Sequence, residues 1–214
     1  MLTNRWAISL AALMLCALLP SGVHAQLFGD TPIQEQSKRH AVKFDQKFKP
    51  RQIIVSFTDR RLYFVVEAGK AISYPIAIPR EKSRWSGIET VSLKKINPPW
   101  TPTPEMMREN PKLPAYVPGG HPMNPLGVRA LYLGNTAYRI HGTDAPWTIG
   151  SNVSKGCVRM FNEDVTELYD MVPVGTKVVV TWQSFAKTAA LDEPALAAEP
   201  QPSFSVLDIL NGNR

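Results

Sequence analysis

The 214 residues carry 24 Lys and Arg against 18 Asp and Glu, a net charge of +6, and 44% of them are hydrophobic. That apolar share and length exceed what a disordered chain shows and suffice for one ordinary domain with extensions. The basic residues are scattered rather than gathered into a stripe, which argues against nucleic acid and leaves an anionic partner such as a cell-wall polymer or a membrane surface.

In chain order, residues 1–25 read as a secretory signal peptide. Arg5 precedes the uncharged apolar stretch 6–19, and Val23-His24-Ala25 forms a small-x-small cleavage pattern before Gln26. The apolar stretch, about 14 residues, falls short of a stable membrane span. The expected location is therefore the periplasm or cell envelope. Of the two cysteines, Cys16 lies in this leader, so Cys157 is the one left after cleavage. An odd thiol in an exported protein is an intermolecular bridge, a buried inert group or a reactive nucleophile.

Residues 26–50 are polar and charged and read as a flexible lead-in. The β-rich runs 52–57 and 61–66 form a hairpin across Thr58-Asp59-Arg60, and 71–78 and 90–93 add further strands. Segment 97–127 holds 9 of the 19 prolines, which interrupts regular structure except in a short helix at 104–109, with Thr103 as N-cap and Pro104 at the first position. So long an insert in a small domain reads as a wall or lid beside a site rather than as core. Residues 128–133 and 136–141 make a second hairpin around Gly134-Asn135, and Asn162 is expected to cap a helix running to Met171. Residues 176–182 form a last strand. The domain thus spans 51–182 and is mainly β. The Ala-, Glu- and Pro-rich 183–214 reads as a low-complexity tail, with a possible short docking helix at 204–210.

The chemistry is concentrated in His141-Gly142-Thr143 and Ser154-Lys155-Gly156-Cys157-Val158-Arg159-Met160. A thiolate is the nucleophile, so a working cysteine needs a base, positive charge or oriented amides close by. His141 at a strand end can serve as the base. Gly156 allows a tight turn that aims the amides at 156 and 157 toward an oxyanion. Lys155 and Arg159 supply positive charge favouring the thiolate, and Ser154 can hydrogen-bond within the loop or to substrate. Zinc is not expected: beyond Cys157 and His141, His121 is the one further plausible nitrogen ligand, and four ligands are needed. No cofactor is expected.

Tyr138 to Thr143, Pro146-Trp147-Thr148-Ile149-Gly150 and Ser154 to Met160, with Trp85-Ser86-Gly87, Pro118-Gly119-Gly120 and Asn124-Pro125-Leu126-Gly127 upstream, together resemble the L,D-transpeptidase catalytic domain of the YkuD/ErfK type. The resemblance covers about residues 51–182. It implies a β-sandwich-like domain with a helix after the catalytic cysteine loop, and peptidoglycan stem peptides as donor and acceptor. Cys157 would attack the diaminopimelate–D-Ala bond of a tetrapeptide stem, release D-Ala and pass the acyl group from a thioester to an amine. By the same resemblance His141 is the base, the carbonyl of Gly142 orients it, and Gly156 and Cys157 supply oxyanion amides. Arg159 organises the loop or binds a stem carboxylate. Lys155 departs from the histidine of many relatives, and His121-Pro122-Met123 departs from the family's polar residues there. Hydrolysis by an L,D-carboxypeptidase, attachment of an envelope protein to the wall, and a non-enzymatic peptidoglycan-binding protein remain as alternatives. A sortase-type enzyme would separate histidine and cysteine much farther, and amidase-type peptidases usually place cysteine first.

Overall fold

The computed structural model describes residues 38–186. The signal peptide and the docking helix expected at 204–210 lie outside these residues. Eleven strands and two helices follow in chain order: β1 His40–Lys43, β2 Ile53–Ser56, β3 Arg61–Glu67, β4 Lys70–Pro75, β5 Ile78–Pro79, β6 Gly87–Ile96, α1 Pro104–Glu109, β7 Arg129–Leu133, β8 Arg139–His141, β9 Asn152–Ser154, β10 Val158–Arg159, α2 Asn162–Met171 and β11 Lys177–Thr181.

Nine strands pair in the order β1-β4-β3-β2-β11-β6-β7-β8-β10, while β5 and β9 pair separately. The bend that makes this sheet sandwich-like lies in β6. Its first residues, 87–90, pair with β11, and from Val91 to Ile96 it pairs with β7, with a register irregularity between Val91 and Leu93. A strand that changes partner part-way carries the chain from one layer to the next. The fold is mainly β, in agreement with the sequence.

Alternation explains the two apolar clusters. Ile53, Val55, Leu62 and Phe64 face the main core with Ile140, Val158, Met160 and the Val165 and Leu168 side of α2. Ile54, Tyr63 and Val65 face the other way, onto Val42, Phe44 and Phe185. Both faces of β2 and β3 are covered, which is why their sequences read as continuous apolar runs rather than alternating ones.

Several expectations need correction. Residues 71–78 are not one strand: β4 ends at Pro75, and Ile78–Pro79 joins β9 instead. The strand expected at 90–93 runs from Gly87 to Ile96. The lead-in contributes β1 on the edge of β4, and Phe44 stacks near Tyr63 and Phe185 with ring centroids 4.8 and 5.0 Å away. The packed body therefore reaches past both ends of 51–182. Asn162 does not cap α2. Phe161 occupies the cap position without a side-chain bond, and the Asn162 side chain turns toward residue 143.

The proline-rich segment is anchored at both ends, where Trp100 bridges Val117 and the buried Asn124 donates to the carbonyls of Pro98 and Pro118. Between them α1 has the expected Thr103 cap on Met106 N and buries no residue. Among the described residues no helix is long and apolar enough to cross a membrane.

Candidate active site

Two short parallel strands carry the site. β8 and β10 pair with Val158 beside Ile140 and Arg159 beside His141. The ladder continues through Met160 N, which donates to His141 O at 2.8 Å. Side chains alternate along a strand and match across a pair, so extending the register back one residue sets Cys157 beside Arg139. Ile140 and Val158 point into the core, both fully buried. Arg139, His141, Cys157 and Arg159 therefore share the opposite face.

His141 is buried, and its Nδ1 lies 2.6 Å from the carbonyl oxygen of Gly142. That oxygen can only accept, so Nδ1 carries the hydrogen and Nε2 is the unprotonated base. Burial, followed by the charge of Arg159, pushes the imidazole down to about 3, with the Gly142 bond opposing and the charge of Arg139 adding. Burial likewise pushes the Cys157 thiol up, against the hydrogen bonds and charge of Arg139 and the charge of Arg159. Both shifts favour the neutral thiol and the neutral imidazole, so for this sulfur to serve as a nucleophile a proton would first have to leave it.

Asn162 fixes the chain around the histidine. Its Oδ1 accepts from Thr143 N at 3.1 Å and Val128 N at 3.4 Å, and its Nδ2 donates to Thr143 O at 2.9 Å. A side chain at Gly142 would collide with this Oδ1, which accounts for glycine there.

The loop that carries Cys157 is held from three sides. Gly156 has φ +120°, and a Cβ on it would run into the ring of Tyr138. Its carbonyl accepts from Trp85 Nε1 at 2.9 Å, and the Trp85 ring stacks on Tyr138 at 4.5 Å, which gives the upstream Trp85 motif its purpose. Ser154, buried, donates its hydroxyl to Cys157 O at 2.5 Å, so it braces the loop from within rather than facing a substrate.

Lys155 behaves differently from the expectation. Its ammonium lies 2.5 Å from Glu109 at the end of α1, and Arg80 approaches the same carboxylate at 3.6 Å. Its charge is thus answered by the proline-rich segment, and Arg139 takes its place beside the thiol. Arg139 was legible in principle: it stands two residues before His141 on a strand, and period-two alternation puts both on one face. The His121 ring accepts a hydrogen bond from Met123 N in its own turn, through Nδ1. Among the described residues no group of three His, Cys, Asp or Glu side chains could hold a metal.

The profile of the YkuD family, described as the L,D-transpeptidase catalytic domain, matches residues 50–180. The chain is 42% identical over 148 residues to the probable L,D-transpeptidase ErfK/SrfK of Escherichia coli K12, covering 65% of this chain and 47% of that one. It is also 42% identical over 166 residues to the probable L,D-transpeptidase YbiS of the same strain, covering 74% and 50%. It thus spans about half the length of these curated relatives. Among solved structures, an L,D-transpeptidase from Mycobacterium smegmatis aligns over 61% of this chain and 58% of its own, at 19% identity and a TM-score of 0.48.

Proposed function

Because the chain belongs to the YkuD family of L,D-transpeptidase catalytic domains, we propose that it is an exported cysteine acyltransferase acting on peptidoglycan stem peptides in the periplasm or cell envelope. The observation that carries this reading is the shared face of β8 and β10. There a thiol and an imidazole with a free Nε2 sit on neighbouring strands, and the Gly142 carbonyl sets the tautomer.

In the first half-reaction His141 Nε2 takes the proton of Cys157, and Sγ bonds to the carbonyl carbon at the L-centre of diaminopimelate. The developing oxyanion is met by the amides of Gly156 and Cys157. The C–N bond to D-Ala breaks, and the leaving amine takes the proton back from His141. In the second half-reaction an acceptor amine attacks the thioester, gives its proton to His141, and the thiol is restored. Arg159, which pairs with His141 across the strands, organises the loop or binds a stem carboxylate.

The test is incubation of the purified full chain with a tetrapeptide stem, alone and with an acceptor stem. The expected result is D-Ala release and a link between two diaminopimelate residues, both lost in Cys157→Ala. Tripeptide as sole product would identify an L,D-carboxypeptidase, and transfer only to an added protein amine would identify a wall-attachment enzyme. Unchanged release by Cys157→Ala would overturn the assignment of the nucleophile.

A further inference from the structure

The neutral resting pair leaves a question of charge. When the proton moves from Cys157 to His141, an anion appears on sulfur inside a partly closed site, and burial opposes it. His141 becomes a cation only after accepting that proton, and it too is opposed by burial. A permanent positive charge facing the sulfur removes this difficulty. Among the described residues, Arg139 and His141 of β8 and Arg159 of β10 share the face of the strand pair on which Cys157 lies. Lys155, though nearest in sequence, is paired with Glu109.

The two guanidinium groups are not equivalent. Arg159 also feels the carboxylate of Asp144. Arg139 converges on the same carbonyl as the thiol: its Nη1 donates to Ala137 O at 3.1 Å, and Cys157 Sγ approaches that oxygen at 3.8 Å. Among the groups that oppose the upward push of burial on the Cys157 thiol, Arg139 comes before Arg159. The Arg139 guanidinium lies 4.8 Å above the ring of Tyr132, which holds it in place. Its Nε–H, like that of Arg159, is buried without a hydrogen-bond partner among the described residues, leaving donor capacity for a charge that arises during reaction.

We propose that Arg139 acts as the standing countercharge of the Cys157 thiolate, before and after each acyl transfer. The proposal rests on Cys157 being the nucleophile, as above. Atoms balance without it: the proton goes to His141, and Arg139 stays protonated throughout.

The experiment is the pH dependence of Cys157 alkylation by iodoacetamide in the full chain, followed by intact mass, for wild type, Arg139→Lys, Arg139→Gln and Arg139→Met. Removing the charge is expected to move the alkylation midpoint up by about one pH unit. At neutral pH this slows alkylation several-fold, while Arg139→Lys recovers part of the shift. Arg139→Met keeps apolar bulk over Tyr132, so a packing role would leave its profile on that of wild type. Midpoints for Arg139→Gln and Arg139→Met that coincide with wild type, in proteins with unchanged melting curves, would overturn the proposal. If Arg139→Met does not fold, the comparison of Arg139→Lys with Arg139→Gln decides, and equal midpoints refute. Alkylation needs no stem peptide, so its outcome is separate from any failure of D-Ala release.

Discussion

Replacing Asn162 with Ala removes three hydrogen bonds that clamp the chain after the histidine. The amide and carbonyl it serves belong mostly to Thr143, which is 1% exposed, so water reaches them poorly. A buried polar group left without a partner costs about 1–3 kcal/mol. Asn162 itself is only partly buried, and some of that loss is recovered by water, so about 3 kcal/mol is expected in all. For a domain of this size that corresponds to a fall in Tm of about 6–12 °C. The same change frees the Gly142 carbonyl that holds the His141 ring, and misplacing a base by about 1 Å costs up to about 100-fold in rate. Asn162→Asp keeps the acceptor for Thr143 N but faces an oxygen against Thr143 O, so its stability is expected between the two. Thermal unfolding and D-Ala release measure both effects. An Asn162→Ala protein that melts within about 2 °C of wild type and turns over normally would refute the clamp.

A carbapenem is expected to acylate the protein once, at Cys157, and intact mass would show one adduct on wild type and none on Cys157→Ala; an adduct that survives the substitution places the reaction elsewhere. Glu109→Gln unties α1 from Lys155 and is expected to raise tripeptide hydrolysis relative to crosslinking, with the circular dichroism unchanged; an equal product ratio would mean that the proline-rich segment is a connector and not a wall of the groove. His141 titrates at about 3 in the fold against its ordinary 6.5, so the unfolded chain binds more protons between these values. Its contribution to stability is fully present above pH 6.5 and is lost as pH falls toward 3. Wild type should therefore lose more Tm on acidification across this window than His141→Gln, and parallel curves would contradict the burial of a neutral imidazole.

The sequence alone determined the class of fold and singled out the thiol and the imidazole proposed to react. The runs at 52–57 and 61–66, the hairpin before His141, the Thr103 cap and the final strand are local patterns, and each appears where β-rich composition, turn chemistry and capping put it. Cys157, His141 and Gly156 stood out because the one thiol left after the expected leader stands beside a glycine turn, which is a local signal, and Gly142 followed from the family resemblance. Sequence could not show what depends on register between distant segments. The edge strand His40–Lys43 is polar by composition and becomes ordered because β4 offers it a ladder. Asn162 looked like a cap because Asn commonly caps helices, but Thr143, 19 residues upstream, offered its side chain an amide and a carbonyl, and Val128, 34 upstream, a second amide. Lys155 and Arg139 exchanged the expected role for the same reason. Charge acts through space: Glu109, 46 positions before Lys155, reaches the lysine, while parallel pairing of β8 with β10 brings Arg139 to the sulfur.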